Sequence, residues 1–254
     1  MQAYAGTDIG CVRTMNQDGY FCSTTPIGPF PNLFIVADGM GGHQAGDYAS
    51  RYAIETFLDY IRHTENRNLI RVMDEGIAEA NRKVLEKSFE NEELAGMGTT
   101  MVVAFAEDGQ LYVANVGDSR LYILRNKHLT RLTKDHNYKT MLRENLKAGK
   151  VDIDFYNSEI SRGEALTSYL GLGNIILIDT NEIPFQLQDG DILLLCSDGL
   201  YKTLTEEQIE AVVTESGGNI SIAGERLRKT AGRWGRNGQD NTTVILLKIS
   251  QDCG

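Results

Sequence analysis

Five aspartates of this chain stand at the ends or bends of apolar, β-rich runs: Asp18 in VRTMNQDGYF, Asp38 in LFIVADGMGG, Asp118 in LYVANVGDSRLYIL, Asp198 in ILLLCSDGL and Asp240 in GQDNTTVILLKI. A carboxylate at the mouth of a buried strand must be compensated, because a desolvated and unpaired one costs several kcal/mol or takes up a proton. If such acids converge they also repel one another strongly, so a cation is the simplest compensation. An all-oxygen ligand set suits Mg²⁺ or Mn²⁺, and one carboxylate such as Asp38 can bridge two ions about 3.5–4 Å apart, as in hydrolytic centres. The neighbouring Gly39 offers a backbone carbonyl to the same site.

Asp-Gly also has an ordinary explanation, the positive φ angles of a tight hairpin. Asp108-Gly109 lies between two strand patterns and Asp189-Gly190 precedes another, so both fit turns. Asp38-Gly39 and Asp198-Gly199 differ, since each follows an apolar run and leads into helix-forming sequence. Around Asp38 four glycines, Gly39, Gly41, Gly42 and Gly46, fall within eight residues. Spacing alone leaves two readings open there, a backbone passing close to hydrated metal and an irregular start to a helix.

The elements that must position these acids follow from two hydrophobic periods. Short β-rich runs at 20–24, 33–37, 99–106, 111–116, 121–124, 175–178, 192–196 and 242–249 predict strands. Helical spacing covers 44–63, 69–89, 136–146, 206–213 and 220–234, so helices come in pairs between groups of strands. Turns at Asp108-Gly109 and at 125–127 join consecutive strands as antiparallel hairpins, which predicts an α+β fold with helices covering antiparallel sheets. Residues 133–174 are the least regular part, as expected of a mobile or functional segment.

Composition sets further bounds. At 254 residues with 41% hydrophobic and 24% charged side chains, one globular domain spanning 1–254 is the expectation. A formal charge of -10 disfavours nucleic acid and anionic lipid as partners. Neither a membrane-spanning run nor a signal-peptide pattern is present, which predicts a cytoplasmic protein with no membrane partner. Cys11, Cys22, Cys196 and Cys253 show no C-x-x-C spacing and are expected to be plain thiols. None is followed by the phosphate loop and arginine of a cysteine-based tyrosine phosphatase, and no P-loop or complete G-x-G-x-x-G motif occurs.

Taken in order, Arg13-x-x-Asn16-Gln17-Asp18, Ala37-Asp38-Gly39-Met40-Gly41-Gly42, Gly98-Thr99-Thr100, Val116-Gly117-Asp118-Ser119-Arg120, Ser197-Asp198-Gly199 and Asp240-Asn241-x-Thr243 resemble the metal-dependent serine/threonine protein phosphatases of the 2C type, the PPM family. The likeness is to short bacterial single-domain members and spans nearly the whole chain. It implies a central antiparallel β-sandwich flanked on both sides by pairs of helices, with a metal centre at one end of the two sheets. By resemblance, Asp38, Asp198 and Asp240 hold one ion, Asp38 and the Gly39 carbonyl a second, and Asp18 acts largely through metal-bound water. Asp118 matches the acid of a third, weaker site, giving two or three Mn²⁺ or Mg²⁺ ions in all.

The implied activity is hydrolysis of phosphoserine and phosphothreonine in phosphorylated proteins, opposing a serine/threonine kinase. Catalysis would run through water activated at Asp38, Asp198 and Asp240, with Arg13 on the phosphoryl oxygens. A monomer is expected. The alternative is a catalytically silent 2C-like module that binds phosphoproteins, whose signature would be loss of Asp38, Asp198 or Asp240. Met40 departs from the histidine that animal and plant relatives carry as a general acid; His43 and metal-bound water are the other candidate donors. Residues 133–174 correspond to the family's flap beside the active site and match its landmarks only loosely.

Overall fold

Apolar residues without a break, as in Leu33–Ala37 and Ile192–Cys196, mean strands covered on both faces, and the computed structural model shows how. It describes residues 1–42, 45–174, 176–235 and 238–250. In chain order the strands are β1 (Gln2–Asp8), β2 (Asp18–Ser23), β3 (Leu33–Met40), β4 (Gly98–Thr99), β5 (Met101–Glu107), β6 (Gln110–Val116), β7 (Arg120–Arg125), β8 (His128–Arg131), β9 (Asp179–Thr180), β10 (Phe185–Gln186), β11 (Ile192–Cys196) and β12 (Thr242–Lys248). The helices are α1 (Ala45–His63), α2 (Leu69–Glu90), α3 (Tyr138–Lys147), α4 (Ile153–Glu159), α5 (Asp198–Tyr201), α6 (Glu206–Glu215) and α7 (Ile220–Trp234).

One sheet has the order β1-β12-β11-β7-β8 and the other β10-β6-β5-β3-β2, with β4 beside β3 and β9 beside β6, every pairing antiparallel. Because side chains alternate along a strand, each central strand serves two cores. Phe34, Val36, Val102, Leu193, Leu195 and Ile245 meet between the sheets. Leu33, Ile35, Ala37 and Val103 face the opposite way, onto Ala53, Phe57, Met73 and Ile77 of α1 and α2. On the far side Leu194, Cys196, Val244 and Leu246 pack against Ile209, Leu227 and Ala231 of α6 and α7. Each large side chain so enclosed contributes roughly 1.5–3 kcal/mol. The result is the helix, sheet, sheet, helix layering expected.

Several boundaries move for physical reasons. The 99–106 run divides at Thr100 into β4 and β5, a break that turns out to hold Asp38. No strand forms over 176–178, and residue 175 lies outside the described residues; Ile176 and Ile178 are half-buried against the α1–α2 core without a ladder, while β9 pairs with β6 just beyond. The third helix starts two residues later than its periodicity suggests, because the Asn137 side chain accepts from the Thr140 N–H and caps it. Strands β1 and β8 carry half-buried or exposed side chains and so had no apolar alternation to reveal them. The irregular 133–174 stretch contains α3 and α4, closes on itself through the isolated bridge Asn137↔Leu166 and returns to β4 through the bridge Thr99↔Leu170. Among the described residues no helix is long and apolar enough to cross a membrane.

Candidate metal centre

The first two acids are placed by strand register. On β2 and β3, Asp18 is the direct cross-strand partner of Asp38, a pairing of like charges that a sheet disfavours unless something else compensates it. Asp38 is locked through its backbone: its N–H donates to Thr100 Oγ1 at 2.9 Å, and its carbonyl accepts from Thr100 N–H at 2.9 Å and Thr99 Oγ1 at 3.0 Å. Thr100 Oγ1 also lies 2.7 Å from Ser119 Oγ, which ties β3 to the loop bearing Asp118.

The glycine beside Asp38 has a steric cause. A Cβ on Gly39 would collide with the Gly46 carbonyl and come within 2.6 Å of the Gln17 carbonyl, because the start of α1 and the 9–17 loop both press on that backbone. Gly42, by contrast, meets open space. Helix and loop packing by itself therefore requires the glycine at position 39. His43, a candidate proton donor, and Gln44 lie outside the described residues, while Met40 lines the cleft.

Asp18 is held by two distant hydroxyls. Ser197 Oγ and Thr243 Oγ1 each donate to Asp18 Oδ2 at 2.7 Å, and Asn241 braces the loop between by accepting from Gln17 N–H at 2.8 Å and donating to the Ile9 carbonyl at 2.8 Å. Its other oxygen, Oδ1, is buried with no hydrogen-bond partner. Burial pushes the Asp18 carboxyl up to about 7 despite those two hydroxyls, with Asp198 and Asp240 adding repulsion. Asp38 keeps a partly open face, yet surrounding protein and then Asp198, Asp18 and Asp118 drive its carboxyl well above the usual range. Asp118 is raised to about 6 by burial and by Asp198, against the lowering effect of Lys202.

Asp198 opens α5 and Asp240 lies in the loop before β12, and each is met by a basic side chain. Arg13 grips Asp240 with two hydrogen bonds, Nε to Oδ1 at 2.7 Å and Nη2 to Oδ2 at 2.9 Å. Burial acts to raise the Asp240 carboxyl, but Arg13 and the Asn241 N–H outweigh it and hold the carboxyl below its usual range. Lys202 Nζ donates to Asp198 Oδ2 at 2.6 Å. Arg13, expected on phosphate, thus has a carboxylate partner here.

All five predicted acids are brought to one end of the sandwich, and Arg13, Asp38, Asp118, Asp198 and Asp240 line one cleft of about 290 Å³. A larger hollow of about 860 Å³ runs along α1 and α2, remote from this cluster. Among the described residues no three Asp, Glu, His or Cys side chains stand close enough to form a ready ligand set, and two of the acids, Asp240 and Asp198, are paired with Arg13 and Lys202. The chemistry still fits hard divalent ions: the donors are all oxygen, three carboxyls are raised by burial and mutual repulsion, and one buried carboxylate oxygen lacks a partner.

Sequence reasoning missed three supports. Lys202 was legible only as a lysine four residues after Asp198. Glu164, which lines the same cleft, comes from the 133–174 segment. His136 is fully buried and braces the Asp118 loop, its Nδ1 accepting from Gly117 N–H at 3.2 Å and its backbone N–H donating to the Gly117 carbonyl at 2.9 Å.

Comparison with known proteins settles the family. The Protein phosphatase 2C profile matches residues 28–141. The serine/threonine phosphatase stp of Listeria monocytogenes is 35% identical, over 98% of this chain and 96% of its own. The chain belongs to the protein phosphatase 2C family. Among solved structures, the S. agalactiae serine/threonine phosphatase superposes on this phosphatase with a TM-score of 0.84 at 30% identity, covering 98% of this chain and 99% of that one. The catalytic domain of the phosphatase PstP, in complex with two manganese ions, gives a TM-score of 0.77 at 26% identity with 98% of both chains covered. The β-sandwich with flanking helix pairs is accordingly the PPM phosphatase fold, and the protein is a metal-dependent phosphatase. The silent-module alternative loses its ground, since Asp38, Asp198 and Asp240 are all present.

Proposed function

We propose that this phosphatase hydrolyses phosphoserine and phosphothreonine in proteins at the cleft formed by Asp38, Asp198 and Asp240. The observation that carries the reading is the cross-strand Asp18–Asp38 pair with its partnerless buried oxygen, a geometry that calls for cations. Asp38, Asp198, Asp240, Asp18 and the Gly39 carbonyl would hold two divalent ions, Mn²⁺ or Mg²⁺, with Asp118 beside a third, weaker position. When bound, such ions supply Lewis-acid activation of water and neutralise phosphoryl charge.

The chain's own residues do the rest. Ser197 and Thr243 fix the direction of Asp18 through Oδ2, leaving Oδ1 buried without a hydrogen-bond partner. The Thr99–Thr100 break fixes Asp38. Arg13 uses two of its five donors on Asp240, and the remaining donors would take phosphoryl oxygens at the rim while the pairing keeps the guanidinium in place. Residues 133–174 would act as a flap that selects substrates within a single catalytic domain, 1–254. The setting is a cytoplasmic monomer that reverses a serine/threonine kinase of the same cell.

The test is hydrolysis of p-nitrophenyl phosphate and a phosphothreonine peptide by metal-stripped protein, with Mn²⁺ or Mg²⁺ added back. Turnover that requires the ion and disappears in Asp38→Ala is expected. Metal-independent turnover, or none with a folded protein and either ion, would overturn the reading.

A further inference from the structure

Lys202 is the C-cap of α5, and its side chain does more than pair with the acid one turn earlier. Its Nζ lies 2.6 Å from Asp198 Oδ2, 3.9 Å from Asp118 Oδ2 and 3.7 Å from Glu164 Oε2. Three carboxylates from three chain segments thus surround one ammonium. The alternative is an ordinary i,i+4 pair on a helix surface, which contributes little. That does not account for the arrangement, because α5 is only four residues long and Asp118, 6% exposed, comes from the loop between β6 and β7. A buried carboxylate facing another needs positive charge nearby, and Lys202 delivers it on a short tether.

We propose that the Lys202 ammonium takes the place of a divalent ion between Asp118 and Asp198, so that this phosphatase binds two ions rather than three and ties Glu164 to the centre by the same group. The inference rests on the reading above for the two ions at Asp38, Asp198, Asp240 and Asp18, and replaces the third position beside Asp118 with the ammonium. An ammonium bonded to Asp198 Oδ2 and 3.9 Å from Asp118 Oδ2 would compete for those two oxygens with an ion ligated by both acids and repel it, whereas Asp198 Oδ1 is left for the ion shared with Asp38 and Asp240. Glu164 follows the turn at 160–163 and its Oε1 is 3.7 Å from Lys139 Nζ, so the contact also joins the 133–174 segment to the acid cluster. Lys202 is a positioning residue in this account, acting through Asp118, Asp198 and Glu164.

The experiment is a count of Mn²⁺ bound per chain, by calorimetry and by the free-Mn²⁺ resonance signal, on the full protein and its variants. Wild type should bind two ions. Lys202→Ala should bind one more, the gain should vanish when Asp118→Asn is added, and Lys202→Arg should return to two. Asp118→Asn alone should leave wild-type stoichiometry unchanged, a measurement that stands even if Lys202→Ala folds poorly. Hydrogen exchange at 163–166 should quicken in Lys202→Ala and recover in Lys202→Arg. Three ions in wild type, loss of one on Asp118→Asn alone, or no extra ion in a folded Lys202→Ala would overturn the proposal. No bound ion in any variant would instead bring down the two-ion reading, and this inference with it.

Discussion

The chain uses Asp-Gly five times; apart from Asp18-Gly19 at the start of β2, the two pairs at turns, Asp108-Gly109 and Asp189-Gly190, differ from the two that lead from a strand into a helix at the cleft in why glycine is there. At Asp108-Gly109 both residues have positive φ, 50° and 72°, and Gly190 has φ 83°, so those glycines supply a backbone conformation. At Asp38-Gly39 and Asp198-Gly199 the glycines are required for space: a Cβ would strike the Gly46 carbonyl in one case and the Asn241 carbonyl in the other. The acid beside a turn glycine, Asp108 or Asp189, is exposed. Beside a space-making glycine it is pressed between strand, helix and loop, where the chain brings the remaining acids. One dipeptide therefore serves as punctuation or as a site according to what packs on it.

The comparison can be broken most sharply through activity. Asp38→Ala should lower metal-dependent hydrolysis by about a thousandfold or more, with the circular dichroism spectrum retained, while Asp108→Ala should leave kcat/KM unchanged. Equal effects would erase the distinction. Stability separates the glycines next. Gly39→Ala or Gly199→Ala should cost more than about 3 kcal/mol in urea unfolding, since backbone oxygens cannot step aside, whereas Gly109→Ala should cost about 1–2 kcal/mol for a left-handed residue with a side chain.

The packed acids also give metal-free protein a pH dependence. In the unfolded chain Asp18 and Asp118 release protons near the ordinary 3.8, but the folded chain keeps them to about 7 and about 6. Between those values the folded state binds more protons, so its stability falls as pH rises from about 4 to 7, by on the order of a few kcal/mol. Asp240, held low by Arg13, works in the opposite sense and only below about pH 4. Thermal unfolding from pH 5 to 8 should show the decline, and saturating Mn²⁺ should flatten it; a rise with pH would contradict the burial assigned to Asp18. The smallest effect is expected for Thr243→Val, which removes one of two hydroxyls on Asp18 and should weaken Mn²⁺ binding about tenfold with the fold intact.

Much of the fold was legible because its signals are local. Ile220–Trp234 repeats its apolar residues at helical spacing and is a helix over that same span. The runs of β3, β11 and β12 are apolar without alternation because each lies between a sheet and a helix pair. Strand β8 was hidden since only Leu129 of its four side chains packs on the core, and the apolar stretch at 176–178 misled because packing of Ile176 and Ile178 against α1 and α2 leaves the same trace as packing in a sheet. At the site, the acids were visible as acids, but their restraints were not. His136 looked like the start of a helix and proved to brace the Asp118 loop.

What the sequence by itself determined is the composition of the layers and the identity of the acids: two hydrophobic periods, two Asp-Gly corners leading into helices, and carboxylates placed where strands end. Only the tertiary structure decided which of these groups meet. Arg13 reaches Asp240 across 227 residues, and Asp18 is oriented by Ser197 and Thr243 across 179 and 225. No periodicity carries such information, because hydrophobic patterning fixes which face of an element is covered and leaves open which distant polar group will lie opposite. The ammonium of Lys202 among three carboxylates is the extreme case. It follows from where three loops come together, and its charge acts over a few ångströms in space that correspond to no fixed distance along the chain.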